Sequence, residues 1–311
     1  MISEKIGCVI VTFNRLAKLK QALHAYEGSS LLPKYILVVD NHSTDGTAEY
    51  LKKWQKTASK FPRYVHTMSE NSGGAGGFFQ GMKEALSLDA DWIWVADDDA
   101  YPEQEAIGIL DTYLQHHEDQ AAICTSVQKQ DGSWSIDHRR RLSEGFLQQE
   151  QTPVDPIEYE KEVFSLDLFS FVGAVISKRT LKQAGLPIPG YFIHCDDTEH
   201  SIRVRKSGNI ICLPRARMVH DSPDEQEQRR RRPDWKYYYS SRNTYDMERR
   251  HFPSVFVYHL LKDSMDYSVH LLLGRKRGKY RMRLRALISA LLGRQGLESP
   301  YLPGWKADFE D

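Results

Sequence analysis

Long apolar runs are missing from this 311-residue chain: none approaches the roughly 18 consecutive residues needed to cross a bilayer. Cysteine is scarce. Cys8, Cys124, Cys195 and Cys212 are scattered, with no C-x-x-C pair and no zinc-like spacing. That argues for reduced thiols in a cytosolic setting over a disulfide framework. The opening MISEKIGCVIVTF has too short an apolar run, and no small-residue cleavage site, for a secretory signal. An excess of charge is absent too. Lys and Arg number 42, as do Asp and Glu, so net charge names no partner and leaves no footprint for nucleic acid. Acidic residues are locally absent between Asp266 and Glu298, where Arg275, Lys276, Arg277, Lys279, Arg281, Arg283, Arg285 and Arg294 are all basic.

What is present is ordinary for a globular protein: 41% hydrophobic and 27% charged residues, enough chain for one large α/β domain or a core with an appendage. IGCVIVTFN (6–14) and YILVVDN (35–41) are β-branched runs of the kind buried on both faces of parallel sheets. Between them Leu16, Leu19 and Leu23 share a helical face. STDGTAEYLKKW then opens with capping residues, and QGMKEALSLDA leads as a helix into DWIWVA. This β-α-β-α alternation through about residue 120 predicts an open parallel sheet with helices on both sides. Ligands of such sheets bind beyond the carboxyl ends of the strands, where Thr12, Asn14, Asp40, Asn41 and Asp97 to Asp99 are expected to gather. Residues 125–165 read as long loops or a short hairpin, LFSFVGAVISKRTLKQAG as a strand and helix, and IICLPRARMVHDS as a strand and a loop ending in His220. After the basic run Arg229 to Arg232 the pattern is helical to about residue 295.

WIWVADDDAYPE aims three adjacent carboxylates out of the end of a buried strand. Like charges so placed repel and raise one another's pKa unless a cation lies between them. Asp97 and Asp99 can share a hard divalent cation with phosphate oxygens, whereas an isolated D-x-D is more often a solvated turn. Here the other polar strand ends favour the metal. NSGGAGGFFQG (71–81) holds five glycines, which let a backbone approach a ligand and offer N–H groups to phosphate; a flexible loop explains them equally well. It is neither a dinucleotide fingerprint, since Phe79 stands where the last glycine belongs, nor a P-loop. In YFIHCDDTEHSIRVRKSG, Asp196 and Asp197 stand where a helix begins and serve either as capping anions or as a general base. His220 becomes a metal ligand only if its strand end lies beside Asp99. In WKYYYSSRNTY the aromatics suit core packing, and Arg242 is in a position to reach a phosphate.

In this order VIVTFNR, VVDNHSTDGT, NSGGAGGF, WVADDDAYPE, FIHCDDTEHSIR, VHDS and YYYSSRN resemble the family 2 glycosyltransferases, most closely the galactofuranosyltransferase and rhamnosyltransferase branch, over roughly residues 6–250. The resemblance implies a GT-A nucleotide-sugar-binding fold, a mostly parallel central sheet flanked by helices, over residues 1–225, with a mainly helical C-terminal region over 226–311. Thr12, Asn14, Arg15 and Asp40 match positions that hold the base and ribose. Asn41, Asn71, Gly73, Gly74, Gly77 and Phe78 would lie against the donor, with Asp98 near its ribose or sugar. Asp97, Asp99 and His220 match a site for Mn2+ or Mg2+, Asp197 the catalytic base, and Asp196 a residue that holds the acceptor. Cys195 stands where that branch often has tryptophan. The implied activity is inverting, metal-dependent transfer of a sugar from a nucleotide-sugar donor to a hydroxyl of a glycan acceptor, lipid-linked, in bacterial surface polysaccharide synthesis. His220 and the acidic pair favour UDP-galactofuranose; dTDP-rhamnose comes second, then UDP-glucose or UDP-galactose. Two other classes remain open. A nucleotidyltransferase would carry a glycine- and arginine-rich loop where TFNRLAKLK stands, and a silent sugar-nucleotide-binding protein would not need the Asp196–Asp197 pair.

In KYRMRLRALISALLGR, Leu284, Leu287, Ile288, Leu291 and Leu292 recur at helical spacing among arginines. This basic amphipathic helix reads equally as a membrane-surface element, peripheral on the inner face of the cell membrane, or as a terminal helix packed on the domain or on a second subunit of a homo-oligomer.

Overall fold

The computed structural model describes residues 1–221, 234–274 and 277–306. The Arg229 to Arg232 run, Arg275, Lys276 and the expected domain boundary at residue 225 lie outside the described residues. Strands and helices alternate at first: β1 (Ile6–Thr12), α1 (Leu16–Glu27), β2 (Ile36–Asp40), α2 (Thr47–Lys56), β3 (Arg63–Thr67), α3 (Gly73–Ala85) and β4 (Trp92–Asp97). Then come β5 (Ala100–Pro102), α4 (Ala106–Leu114), β6 (Ala122–Gln128), β7 (Arg139–Glu144), β8 (Gln149–Pro153), β9 (Phe164–Leu166), β10 (Leu168–Phe169) and β11 (Ala174–Ser177). The chain continues through α5 (Lys178–Ala184), α6 (Asp196–Val204), β12 (Ile210–His220), α7 (Trp235–His251), α8 (Pro253–Leu272) and α9 (Arg277–Leu291).

The main sheet has the order β3-β2-β1-β4-β11-β6-β12-β5, with β9 on the flank of β12. Strands β1 to β4, β6 and β12 run one way, and β5, β9 and β11 run antiparallel to their neighbours. Side chains alternate across a strand, so β1 feeds two cores. Ile6, Cys8 and Ile10 meet Leu19 and Leu23 of α1 and Leu110 of α4, while Val9 and Val11 meet Phe78 and Met82 of α3. The polar 125–165 stretch supplies the hairpin β7–β8, which with β10 forms a second, three-stranded sheet. Expected as a strand followed by a loop, IICLPRARMVH is one strand. It absorbs Pro214 in a bulge between Leu213 and Arg217, where the missing N–H breaks no ladder bond.

Helix α3 begins at Gly73, so the glycine-rich segment forms its first turns. Glycine inside a helix costs about 1 kcal/mol relative to alanine, and packing explains why it is kept. A Cβ on Gly77 would sit 2.5 Å from Val11 Cγ1, and one on Gly81 would sit 2.4 Å from Val9 Cγ1. The glycines bring α3 down onto β1.

At the C-terminal end, α9 buries Met282, Ala286, Leu287 and Ala290 against Tyr238, Tyr239, Tyr245 and Phe256. Of the five apolar positions expected to form one face, Leu287 is buried, and Ile288, Leu291 and Leu292 are exposed. Small Ala286 and Ala290 allow the close approach to α7, which rotates the buried face away from the leucines. Met247 of α7 and Val255 of α8 join Leu168 and Ile202, tying these helices to the sheet domain.

Gly81→Ala should lower stability by about 1–3 kcal/mol through overpacking. The check is a urea melt in which the midpoint falls and the slope is unchanged.

Candidate active site

Register places the site. β1 pairs with β2 so that Thr12 faces Asp40, and with β4 so that Val11 faces Asp97; the polar residues leave the sheet at one edge. Asp98 and Asp99 turn the chain into β5, which pairs with β12 so that Ala100 faces His220. The Asp221 N–H donates to the Asp99 carbonyl at 2.8 Å. His220 therefore stands beside Asp99, with Nε2 3.4 Å from Oδ1.

The three carboxylates share one small volume and titrate differently. Burial drives Asp97 well above the usual carboxylate range, and Asp99, Asp98 and Asp196 push it further up. Burial also raises Asp98 to about 6, although the Thr12 hydroxyl donates to it at 2.7 Å. For Asp99 the upward push of burial is outweighed by His220, Arg15 and Lys18, and its pKa falls. Arg15 Nη1 lies 2.6 Å from Asp99 and 3.4 Å from Asp98, and Lys18 Nζ is 3.8 Å from Asp99. At the neighbouring strand end, Asp40 Oδ1 accepts the Ser43 N–H at 3.0 Å, while its buried Oδ2 has no hydrogen-bond partner. A buried carboxylate oxygen left over in this way is available to a ligand donor.

The second acidic pair sits on the first turn of α6, after a strained approach. Phe192, His194 and Cys195 all have φ of 65°. Left-handed backbone at such residues costs of order 1–3 kcal/mol each and persists only when its surroundings enforce it. Here α7 enforces it. Asn243 Nδ2 donates to the carbonyls of Tyr191, Ile193 and His194, each at 2.9 Å. Arg242, 1% exposed, spends its guanidinium on the carbonyls of Gly296 at 2.6 Å and Gly190 at 3.0 Å. On the other side, Ala75 N–H donates to the Phe192 carbonyl at 3.2 Å. A Cβ on Gly73 (φ +71°) would fall 2.0 Å from that oxygen, so only glycine fits.

Asp196 is buried, and burial followed by the Asp197 charge pushes it up to about 8. Its charge adds to the upward push on Asp97, and the loop before α6 meets the start of α3, which Asn41 holds at the end of β2. Asp197 turns toward Thr198, whose N–H and hydroxyl donate to Oδ1 at 2.6 and 3.1 Å. Arg140 in turn donates to Thr198 Oγ1 at 2.7 Å. Glu199 anchors the helix from below. It meets Arg203 at 2.8 Å and His251 of α7 at 2.9 Å, and these partners outweigh burial to bring it down from 4.5 to about 2.

Other expected site residues brace the loops. Asn14 (φ 52°) accepts the Thr44 N–H at 2.7 Å and joins the loops after β1 and β2. Asn41 donates to Asn71 at 3.0 Å and to the Gly73 carbonyl at 2.8 Å, fixing the start of α3. Gly77 and Phe78 are buried in packing, whereas a Cβ on Gly74 would meet open space. Three neighbours escaped sequence reading: Lys18, Asp221 and His138. Lys18 follows Arg15 by three residues, so helical spacing was a signal for it. Asp221 adjoins His220 and lies 3.4 Å from Lys18. His138 gave no signal. Its ring stands edge-on to His220 at 5.0 Å, Nδ1 meets Ser170 Oγ at 2.6 Å, and its buried Nε2 has no partner.

Among the described residues, no group of three or more His, Cys, Asp or Glu side chains is arranged to hold a metal ion. Carboxylate oxygens and an imidazole, the donors that Asp97, Asp99 and His220 offer, are of the types that suit a hard divalent cation.

Comparison with known proteins places this arrangement. Residues 8–177 match the family described as Glycosyl transferase family 2. The galactofuranosyltransferase GlfT1 of Mycolicibacterium smegmatis is 30% identical over 217 residues, covering 66% of this chain and 67% of that protein. Its Mycobacterium tuberculosis counterpart is 30% identical over 212 residues, 67% of this chain and 66% of its own. The chain therefore spans about two thirds of these relatives' length. Among solved structures, S. aureus TarS 1–349 in complex with UDP-GlcNAc aligns with a TM-score of 0.58 at 16% identity, over 92% of this chain and 81% of that one. GalNAc-T7 with UDP, GalNAc and Mn2+ aligns at 0.59 and 14%, over 93% and 56%. The fold is the GT-A fold, and the chain belongs to glycosyl transferase family 2.

A Glu199→Gln variant tests the α6 anchor. Because the folded pKa is depressed to about 2, the stabilisation is complete above pH 4.5 and fades as pH falls toward 2. The variant should lose about 2–3 kcal/mol at pH 7, and its denaturation midpoint should converge on the parent's in acid.

Proposed function

We propose that this chain transfers a sugar, galactofuranose by preference, from a uridine diphosphate donor to a hydroxyl of a glycan acceptor, with inversion. The observation that carries this reading is the gathering of Asp97–Asp99 with Arg15, Lys18 and His220 at the end of the sheet, with buried Asp196 of the second acidic motif close enough for its charge to raise Asp97. The first motif gathers charge for a leaving diphosphate and the second is placed to take a proton. The mycobacterial relatives support galactofuranose as the sugar, and the neighbours solved with UDP-GlcNAc or with UDP and Mn2+ support a nucleotide-sugar donor and a divalent cation.

In this scheme Thr12, Asn14, Arg15 and Asp40 surround the nucleoside, and the unpartnered Asp40 Oδ2 accepts an N–H of the base. Asp97, Asp99 and His220 would hold the divalent cation, which neutralises charge that develops on the diphosphate. Arg15 and Lys18 are cationic side chains already at that spot. The acceptor oxygen attacks the anomeric carbon in line, the bond to the diphosphate oxygen breaks, and Asp197 takes the hydroxyl proton. Thr198, itself held by Arg140, orients that carboxylate. Buried Asp196 contacts the acceptor sugar. Positioning the reactants and stabilising the leaving charge supply most of the rate. We further place residues 1–225 as the catalytic domain and 226–311 as its helical support, acting in the cytosol on a lipid-linked glycan destined for a bacterial surface polysaccharide. The four free cysteines agree with that compartment.

Asp197→Asn should cut transfer by about a thousandfold or more while donor affinity survives; turnover at the parental rate would remove Asp197 from the role. Asp99→Ala should abolish the dependence of donor affinity on added manganese, read by calorimetry with and without the ion. A thermal-shift panel should rank UDP-galactofuranose with manganese first. A larger shift with dTDP-rhamnose would reassign the donor.

A further inference from the structure

Helix α8 is amphipathic on the wrong side for a core helix. Its inward face buries Phe256 and Tyr267. Its outward face carries Val257, Tyr258, Leu261, Met265, Val269 and Leu272, with Leu261, Met265 and Leu272 exposed by 69%, 68% and 85%. At about 100° per residue these six fall within an arc of roughly 120°. The remaining residues in that arc are Ser254 and Ser268, so it holds no charge. Lys262 borders it and lays its Nζ over the Tyr258 ring at 5.5 Å, stem on apolar surface and ammonium at the edge. Of the two α8 carboxylates, Asp263 is turned to Tyr245 at 2.7 Å, and Asp266 lies on the far side of the arc beside His270. An apolar stripe of this length on a monomer marks a contact surface.

The charge that follows decides the occupant. From Tyr267 to Leu297 the chain has eight Lys or Arg and no Asp or Glu; of these, Arg285 is paired with Glu298 and Arg283 lies over Tyr237 and Tyr267, while Arg281 and Arg294 are exposed. No described helix is long and apolar enough to cross a membrane. A second copy would bring an identical basic run to this patch, whereas an anionic lipid surface supplies both apolar depth and negative charge. We infer that α8 lies in the interface of an anionic membrane, with the stripe from Val257 to Leu272 immersed and exposed basic side chains of α9, Arg281 among them, toward the headgroups. The sequence alone offered α9 for this role, equally with packing on the domain or on a second subunit. Membrane contact stands apart from the catalytic reading, because binding is measured without turnover.

The test is flotation of the full chain with vesicles of phosphatidylcholine alone or of equal parts phosphatidylcholine and phosphatidylglycerol. The parent should rise with the anionic vesicles and not with the neutral ones. Leu261→Glu/Met265→Glu should lower the bound fraction by at least about tenfold, with an unchanged thermal midpoint because both side chains are exposed. Arg281→Glu, at an exposed position, should weaken binding at low salt and flatten its dependence on salt. Three results would overturn the inference. They are failure of the parent to float with either vesicle, flotation of the double variant equal to the parent's, and a dimer in light scattering that the double variant dissolves.

Discussion

Four aspartates converge on the end of one sheet, and the structure around them answers the cost of keeping negative charge out of water. Burial pushes Asp97, Asp98, Asp99 and Asp196 up, and Asp97 is raised further by the other three. Only Asp99 is held down, because His220, Arg15 and Lys18 stand against it. The result is a graded site. Asp99 is held down beside an imidazole, Asp98 and Asp196 are pushed up to about 6 and about 8, and Asp97 is pushed well above the usual carboxylate range. The loop of β1 that brings Arg15, the first turn of α1 that brings Lys18, and the β5–β12 pairing that brings His220 all follow from this requirement.

A second constraint is mechanical. The acidic pair on α6 is reached through three left-handed residues in a row of four, and such a loop does not hold itself. Asn243 gathers three of its carbonyls, Arg242 spans to Gly190 and Gly296, and Gly73 admits the Phe192 carbonyl from the other side. The C-terminal helices are thus part of how the site is aimed. Glu199, bridging Arg203 and His251, fastens the helix below the same loop.

The glycine-rich stretch shows how one composition serves two ends. Its five glycines suggested an exposed phosphate-binding loop, yet Gly77 and Gly81 carry α3 against Val11 and Val9, and Gly73 accommodates Phe192. Gly74 alone of the expected donor-facing glycines leaves space open. Glycine reports that something comes close; it does not say whether that is a ligand or another part of the chain.

What the amino-acid order determined by itself was everything local or periodic. The β-branched runs, the helical spacing between them and the polar residue closing each strand gave the parallel sheet and the edge at which Thr12, Asp40 and Asp97 emerge. The resemblance carried by the acidic motifs added the GT-A fold and the pairing of Asp99 with His220. Contacts between distant segments were decided only by tertiary structure. No spacing reveals that His138 leans on His220, that Arg242 is committed to backbone carbonyls, that β11 enters the sheet antiparallel, or that α8 turns its apolar stripe outward while α9 hides its small residues. Hydrophobic periodicity fixes which side chains share a face. Which face meets the core depends on what else has folded there, and that lies outside any local window.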